Sequence, residues 1–178
     1  MALSSRHKIA VFIAVLVGFI GFLIAGLNSQ QLGSQTNPVV RAFPSMPVEL
    51  LISEQIKQSP ELFTDEYQLV NVWASWCGIC RQEHDYLNQL QKQGVPIVGL
   101  NYRDNRSGAV NYLAQLGNPY TDIIFDPKGK LSLDLGVIGT PETYLVTRRG
   151  EIVYKHSGLL SEQAWRKHFS LYFDQSKS

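Results

Sequence analysis

The chain reads as an α/β protein, a mixed sheet flanked by helices and preceded by one N-terminal transmembrane helix. Three observations predict this: a long apolar run near the N-terminus, strand-like and helical segments alternating through the middle, and a short hairpin before a closing amphipathic segment. With 178 residues and 44% hydrophobic side chains there is room for one domain plus accessory segments.

Residues 9–27 carry no charged or strongly polar side chain and directly follow Arg6, His7 and Lys8. At a rise of about 1.5 Å per residue this run reaches about 28 Å, close to the roughly 30 Å of a hydrocarbon core. No Lys or Arg follows it until Arg41, so residues 1–8 are expected in the cytoplasm. The run then crosses the inner membrane once, and the remainder faces the periplasm. A cleaved signal peptide is the alternative, although the exit Ile24-Ala25-Gly26-Leu27-Asn28 offers only an imperfect small-x-small site. A buried core helix fits poorly, because no polar residues supply a second face.

Residues 28–47 turn polar, with Gly33, Pro38, Pro44 and Pro47 and no apolar periodicity, and read as a flexible tether. The folded domain is expected over 48–178. It opens with an apolar stretch at 48–52, and the β-branched and aromatic run 69–73 marks a buried strand. Residues 80–93 read as a helix with Tyr86, Leu87 and Leu90 on its apolar face, closed by Gly94 and Pro96. A strand at 95–100, a helix at 108–116 ended by Gly117, and a strand at 121–125 follow, then the turn Asp126-Pro127-Lys128-Gly129. Residues 143–147 and 151–154 flank Arg148-Arg149-Gly150 as a hairpin. Ser161 then caps a last helix carrying Trp165, Phe169 and Tyr172.

The net charge is +1, and setting aside Arg6 and Lys8 leaves the exported part nearly neutral, which gives no nucleic-acid footprint. One fold per chain and a near-neutral surface suggest a monomer. The two cysteines, Cys77 and Cys80, form a single C-x-x-C at the start of the expected helix. Unpaired N–H groups and the positive end of the helix dipole there favour a thiolate, so Cys77 is the expected nucleophile. Cys80, one turn on and deeper, suits the resolving role. The pair needs no cofactor beyond itself. A structural zinc site wants four ligands and the chain has no second cysteine pair. His84, His156 and His168 have no ligand spacing, so no metal is expected and copper delivery is only a minor alternative. Gly139-Thr140-Pro141, just before a hairpin strand, is expected to hold a cis Thr140-Pro141 bond that offers the Thr140 backbone to an extended substrate, with an ordinary trans proline as the alternative.

Trp76-Cys77-Gly78-Ile79-Cys80-Arg81 together with Gly139-Thr140-Pro141 resembles the thioredoxin superfamily over about residues 45–174, which implies a thioredoxin-like sheet. The match narrows with Asn71-Val72-Trp73-Ala74-Ser75-Trp76-Cys77, Cys80-Arg81-Gln82-Glu83-His84, Gly99-Leu100-Asn101-Tyr102-Arg103-Asp104, Leu116-Gly117-Asn118-Pro119-Tyr120, and Asp134-Leu135-Gly136-Val137 through Pro141-Glu142-Thr143. These runs are similar to the DsbE/CcmG family of cytochrome c maturation. The resemblance implies a reductase that keeps the haem-attachment cysteines of apocytochrome c reduced, directly or through a partner thiol protein. It also implies a membrane thiol electron donor upstream.

By the same resemblance Glu83 and Glu142 match acidic groups near the site and Tyr102 stands close to it. Glu83 has a second reading, a solvated residue favouring the helix dipole. A buried Glu142 would need to be protonated or hydrogen-bonded, which suggests proton transfer. Tyr102 reads equally well as strand packing. Trp76 is expected to shield the nucleophile and offer a flat apolar contact, whereas Trp73 is expected in the core.

Two departures matter. Gly78-Ile79 stands where many relatives carry Pro-Thr and thioredoxin carries Gly-Pro, so neither potential nor Cys80 exposure carries over. Asn71 occupies the strand position of thioredoxin's buried aspartate, which leaves Glu83 or Glu142 as the candidate proton acceptor. A general periplasmic reductase or oxidase, a tethered binding module for cytochrome c assembly, and a purely structural disulfide remain as alternatives. The last is weakened because closing so short a loop adds little stability.

Overall fold

Buried β-branched runs in the middle of the chain must pair on both edges, and they organise everything else. In the computed structural model, residues 13–20 and 41–174 are described. Contacts divide the chain into two units, Met1–Val39 and Val40–Ser178. In the first, residues 13–20 are helical with exposed side chains. The rest of the expected anchor 9–27, residues 1–8, and 28–40 of the expected tether lie outside the described residues. Among the described residues no helix is long and apolar enough to cross a membrane.

The second unit holds β1 (Arg41–Ala42), β2 (Pro47–Leu50), β3 (Ile56–Gln58), a 3-10 turn (Ser59–Leu62) and β4 (Tyr67–Trp73). It continues with α1 (Gly78–Lys92), β5 (Ile97–Tyr102), α2 (Arg106–Leu116), β6 (Ile123–Asp126), α3 (Lys130–Leu135), β7 (Glu142–Thr147) and β8 (Glu151–Ser157). It closes with α4 (Glu162–His168) and α5 (Ser170–Asp174). The strands form one sheet in the order β1-β8-β7-β4-β5-β6-β2-β3. This is a thioredoxin-like α/β fold. β4, β5 and β6 run parallel, while β7 joins β4 antiparallel, with Asn71 between Gly99 on one side and Thr143 on the other.

Alternation along β4 sorts the core into two layers. Leu69 and Trp73 face a cluster with Leu87 and Leu90 of α1, Tyr112 of α2, and Trp165 and Phe169. Val70 and Val72 face the other cluster, with Phe43, Leu62, Leu131, Leu135 and Tyr144. Each fully buried leucine stabilises the fold by about 2 kcal/mol, so α1 is anchored through the face that also carries Cys80.

The folded unit starts earlier than the expected position 48. Arg41–Ala42 pairs with Ile152 and Glu151, Phe43 N donates to Gly150 O at 2.7 Å, and Phe43 packs edge-on against Phe63. Proline-rich composition suggested tether, but one buried phenylalanine outweighs it. The expected helix starts at 80 and 108 move to Gly78 and Arg106, because Cys77 and Asn105 are the capping residues. Ser161 caps α4 as expected, its hydroxyl accepting from Ala164 N at 3.2 Å.

Candidate active site

Loops at the C-terminal ends of parallel strands are free of the ladder and can converge on a ligand. Here the loop after β4 carries the cysteines. Cys77 is the N-cap of α1, and its Sγ accepts from Cys80 N at 3.1 Å. Cys77 and Cys80 are joined by a disulfide. Both sulfurs belong to the helix-side core, with Cys77 6% and Cys80 2% exposed, so the pair is less open than an exposed motif would be. Their neighbours Trp76 and Ile79 are exposed and rim the pair with apolar surface. Trp73 is core, as expected.

Asp104, which sequence reasoning passed over, holds the loop in place. Its carboxylate accepts from Ser75 N, from Ser75 Oγ at 2.8 Å, from Asn101 Nδ2 at 3.0 Å and from Asn105 N at 2.8 Å. The indole N–H of Trp76 donates to Arg103 O at 3.1 Å. The loops after β4 and β5 are thereby fastened together two residues before the nucleophile. A lone acid followed by the helix-capping Asn105 was the available signal.

Register places the second half of the site. Glu142 pairs with Val72, so Pro141 falls beside the end of β4, at the same end of the sheet as the cysteine loop. The Thr140-Pro141 bond is cis.

Glu83 lies one turn beyond Cys80 on the buried side of α1, which excludes the solvated reading. Its Oε1 accepts from Asn71 Nδ2 at 2.9 Å and its Oε2 from Leu160 N at 2.7 Å. Asn71 Nδ2 also reaches Thr143 Oγ1 at 3.3 Å, and Asn71 Oδ1 accepts from Tyr120 OH at 3.0 Å. Burial dominates over these two donors and pushes the Glu83 carboxyl up to about 7. Burial also pushes the Tyr120 hydroxyl well above its ordinary value, so it stays a donor to Asn71.

Glu142 is buried too, but on the other face of the sheet. Its Oε2 accepts from Tyr144 OH at 2.8 Å and lies 3.0 Å from Lys155 Nζ, while Oε1 accepts from Ile138 N at 3.2 Å. Both oxygens are engaged and the charge is matched by an ammonium, which removes the argument for proton transfer made from burial alone. Tyr102 packs in the cluster opposite the sulfurs, with the Arg103 guanidinium 5.2 Å from its ring centre. Packing is therefore the reading its position supports.

His84 is buried and satisfied: its Nε2 is 2.9 Å from Gly117 O, and burial lowers its pKa. His156 Nε2 is 3.1 Å from Leu159 O. Among the described residues no group of His, Cys, Asp or Glu is arranged to hold a metal ion. A cleft lined by Tyr67, Gly94, Trp165 and Tyr172 lies at the opposite end of β4 from the sulfurs. Thiol–disulfide exchange needs an approachable sulfur rather than an enclosed cavity, so the rim around Cys77 is the relevant surface.

A family model described as Redoxin matches residues 39–167. The chain is 39% identical over 165 residues to the thiol:disulfide interchange protein DsbE of Yersinia pestis, covering 89% of this chain and 86% of that one. It is 49% identical over 113 residues to the same-named protein of Escherichia coli K12, covering 64% and 61%. Among solved structures, a DsbE-type candidate from Chlorobium tepidum is 26% identical with a TM-score of 0.62, covering 72% of this chain and 92% of that one.

Proposed function

The chain belongs to the redoxin family and, within it, to the DsbE thiol:disulfide interchange proteins, and from that premise we propose that this oxidoreductase is a membrane-anchored periplasmic reductase of cytochrome c maturation. Its substrate is the disulfide formed by the haem-attachment cysteines of apocytochrome c, or that of a partner thiol protein. Residues 9–27 hold it to the inner membrane, with residues 1–8 in the cytoplasm. The observation that carries the chemistry is Cys77 as the N-cap of α1, accepting the Cys80 N–H, with the buried Glu83 one turn on.

The Cys77 thiolate, favoured by the helix N-terminus, attacks one sulfur of the substrate disulfide. That S–S bond breaks, and the departing thiolate takes a proton from water. Cys80 then gives its proton to the Glu83 carboxylate and attacks Cys77 Sγ. The second substrate sulfur leaves as a thiolate that takes a proton from water, and the Cys77–Cys80 disulfide remains, two electrons having passed to the substrate. Near neutral pH a carboxyl with a pKa of about 7 is present in both forms, so it can accept this proton and release it again. A membrane thiol donor returns two electrons. Trp76 and the Thr140 backbone provide substrate contacts.

The direction is tested by acid-quenching cells that carry the full chain and alkylating free thiols. A mostly reduced pair is expected. A pair that stays oxidised while the membrane electron carriers are active would assign an oxidase instead. Comparable rates on insulin and on a haem-attachment peptide would favour a general reductant, and maturation preserved in Cys77→Ser would favour a binding module.

A further inference from the structure

The segment from Gly136 to Pro141 joins α3 to β7 and carries Thr140. Val137 packs on the core, with its N–H donating to Ser132 O at 2.9 Å, but beyond it the segment has little support of its own: Ile138 is 90% exposed, and a Cβ placed on Gly139 would meet nothing within 4 Å. Its shape must come from its two ends. At the first, Gly136 closes α3 in the left-handed region at φ 75°. Its carbonyl accepts from Lys155 Nζ at 3.0 Å. At the second, the same Nζ lies 3.0 Å from Glu142 Oε2, while Glu142 Oε1 takes the N–H of Ile138 within the segment. Arg41 donates to the Asp134 carbonyl two residues before the segment.

An ammonium has three N–H donors and can serve a carbonyl and a carboxylate together. Neutralising Glu142 would need only the second of these contacts. The Gly136 contact makes Lys155 a bridge between the segment's two ends, reaching across from β8, where it stands opposite Tyr144.

We propose that Lys155 is a positioning residue that, by clamping Gly136 to Glu142, fixes the Gly136–Pro141 segment for docking of extended peptide disulfides. It does not touch the reacting sulfurs. The proposal rests on the reading of this chain as a disulfide reductase. It separates two kinds of substrate, because a peptide lies along the segment and a small disulfide needs only the cysteines.

The test uses the reduced full chain with two probes, a synthetic peptide bearing an internal Cys-x-x-Cys-His disulfide and hydroxyethyl disulfide. Lys155→Met is expected to raise KM for the peptide about tenfold, with kcat and the hydroxyethyl disulfide rate within about twofold of the parent. Lys155→Arg, which keeps the charge and donors, is expected to restore most of the peptide KM. An unchanged peptide KM in Lys155→Met, or an equal loss on both probes, would overturn the clamp. A parent chain inert toward both probes would overturn the reductase reading itself, and this inference with it.

Discussion

Glu83 and Glu142 are both buried at the cysteine end of the sheet, yet they stand on opposite faces and keep different company. Among the described residues Glu83 is held by neutral donors only, the Asn71 amide and the Leu160 N–H. Glu142 has the ammonium of Lys155 and the hydroxyl of Tyr144. A carboxylate without a counter-ion in a low-dielectric setting is easily protonated, whereas one beside an ammonium is a strut. In the proposed mechanism the same side chain thus serves proton movement on the α1 face and loop geometry on the other. Burial alone would have assigned both to one role.

The comparison breaks most visibly in stability against pH. The folded Glu83 pKa of about 7 lies above its ordinary value of 4.5, so the native state holds this proton more tightly than the unfolded chain. The stabilisation is complete below about pH 4.5 and is lost as pH rises to about 7, an amount of roughly 3 kcal/mol. Denaturant unfolding of the oxidised chain and of Glu83→Gln across that window should show stabilities that diverge by about this much. A constant gap would mean that Glu83 does not titrate there.

Next in size is the effect on rate. At pH 7, Glu83→Gln should slow the Cys80 attack about a hundredfold, the usual scale for a lost general base. Glu142→Gln should leave exchange with hydroxyethyl disulfide within a fewfold. Quenched-flow trapping of the mixed disulfide reads both, and equal slowing would erase the distinction between the faces.

Gly99→Val sharpens it from behind. A Cβ at Gly99 would stand 3.0 Å from Trp73 Nε1 and from the Tyr120 ring, whose hydroxyl orients Asn71 toward Glu83. Overpacking there should cost about 2 kcal/mol in thermal or denaturant unfolding. Smallest is Ser161→Ala, which removes the α4 cap next to the Leu160 N–H that holds Glu83. About 1 kcal/mol is expected by the same measurement.

The central strand, the cysteine-bearing helix and the hairpin were legible in the sequence because each is long and periodic or carries a strong capping signal. Leu131, Leu133 and Leu135 were harder to read, since Lys-Leu-Ser-Leu-Asp-Leu alternates like a strand. It folds as α3 because Asp126 accepts from Lys130 N at 2.8 Å and Ser132 N at 2.9 Å, capping a helix whose Leu131 and Leu135 go inward. β1 and β3 span two and three residues, too few for any period to register. At the site, the cysteines and the cis Thr140-Pro141 bond could be foreseen from local motifs. The division of labour between Glu83 and Glu142 could not, because it depends on Lys155 and Leu160, both distant in the chain and brought in by the sheet and the last loop.

The most direct test of the assignment is the carboxyl titration of Glu83 in the oxidised chain, followed by carbon NMR on glutamate-labelled protein, with the resonance identified by its loss in Glu83→Gln. A midpoint near 7 is expected. A midpoint near the ordinary glutamate value of 4.5 would contradict it, leaving Glu83 a carboxylate too weakly basic to hold the Cys80 proton at neutral pH.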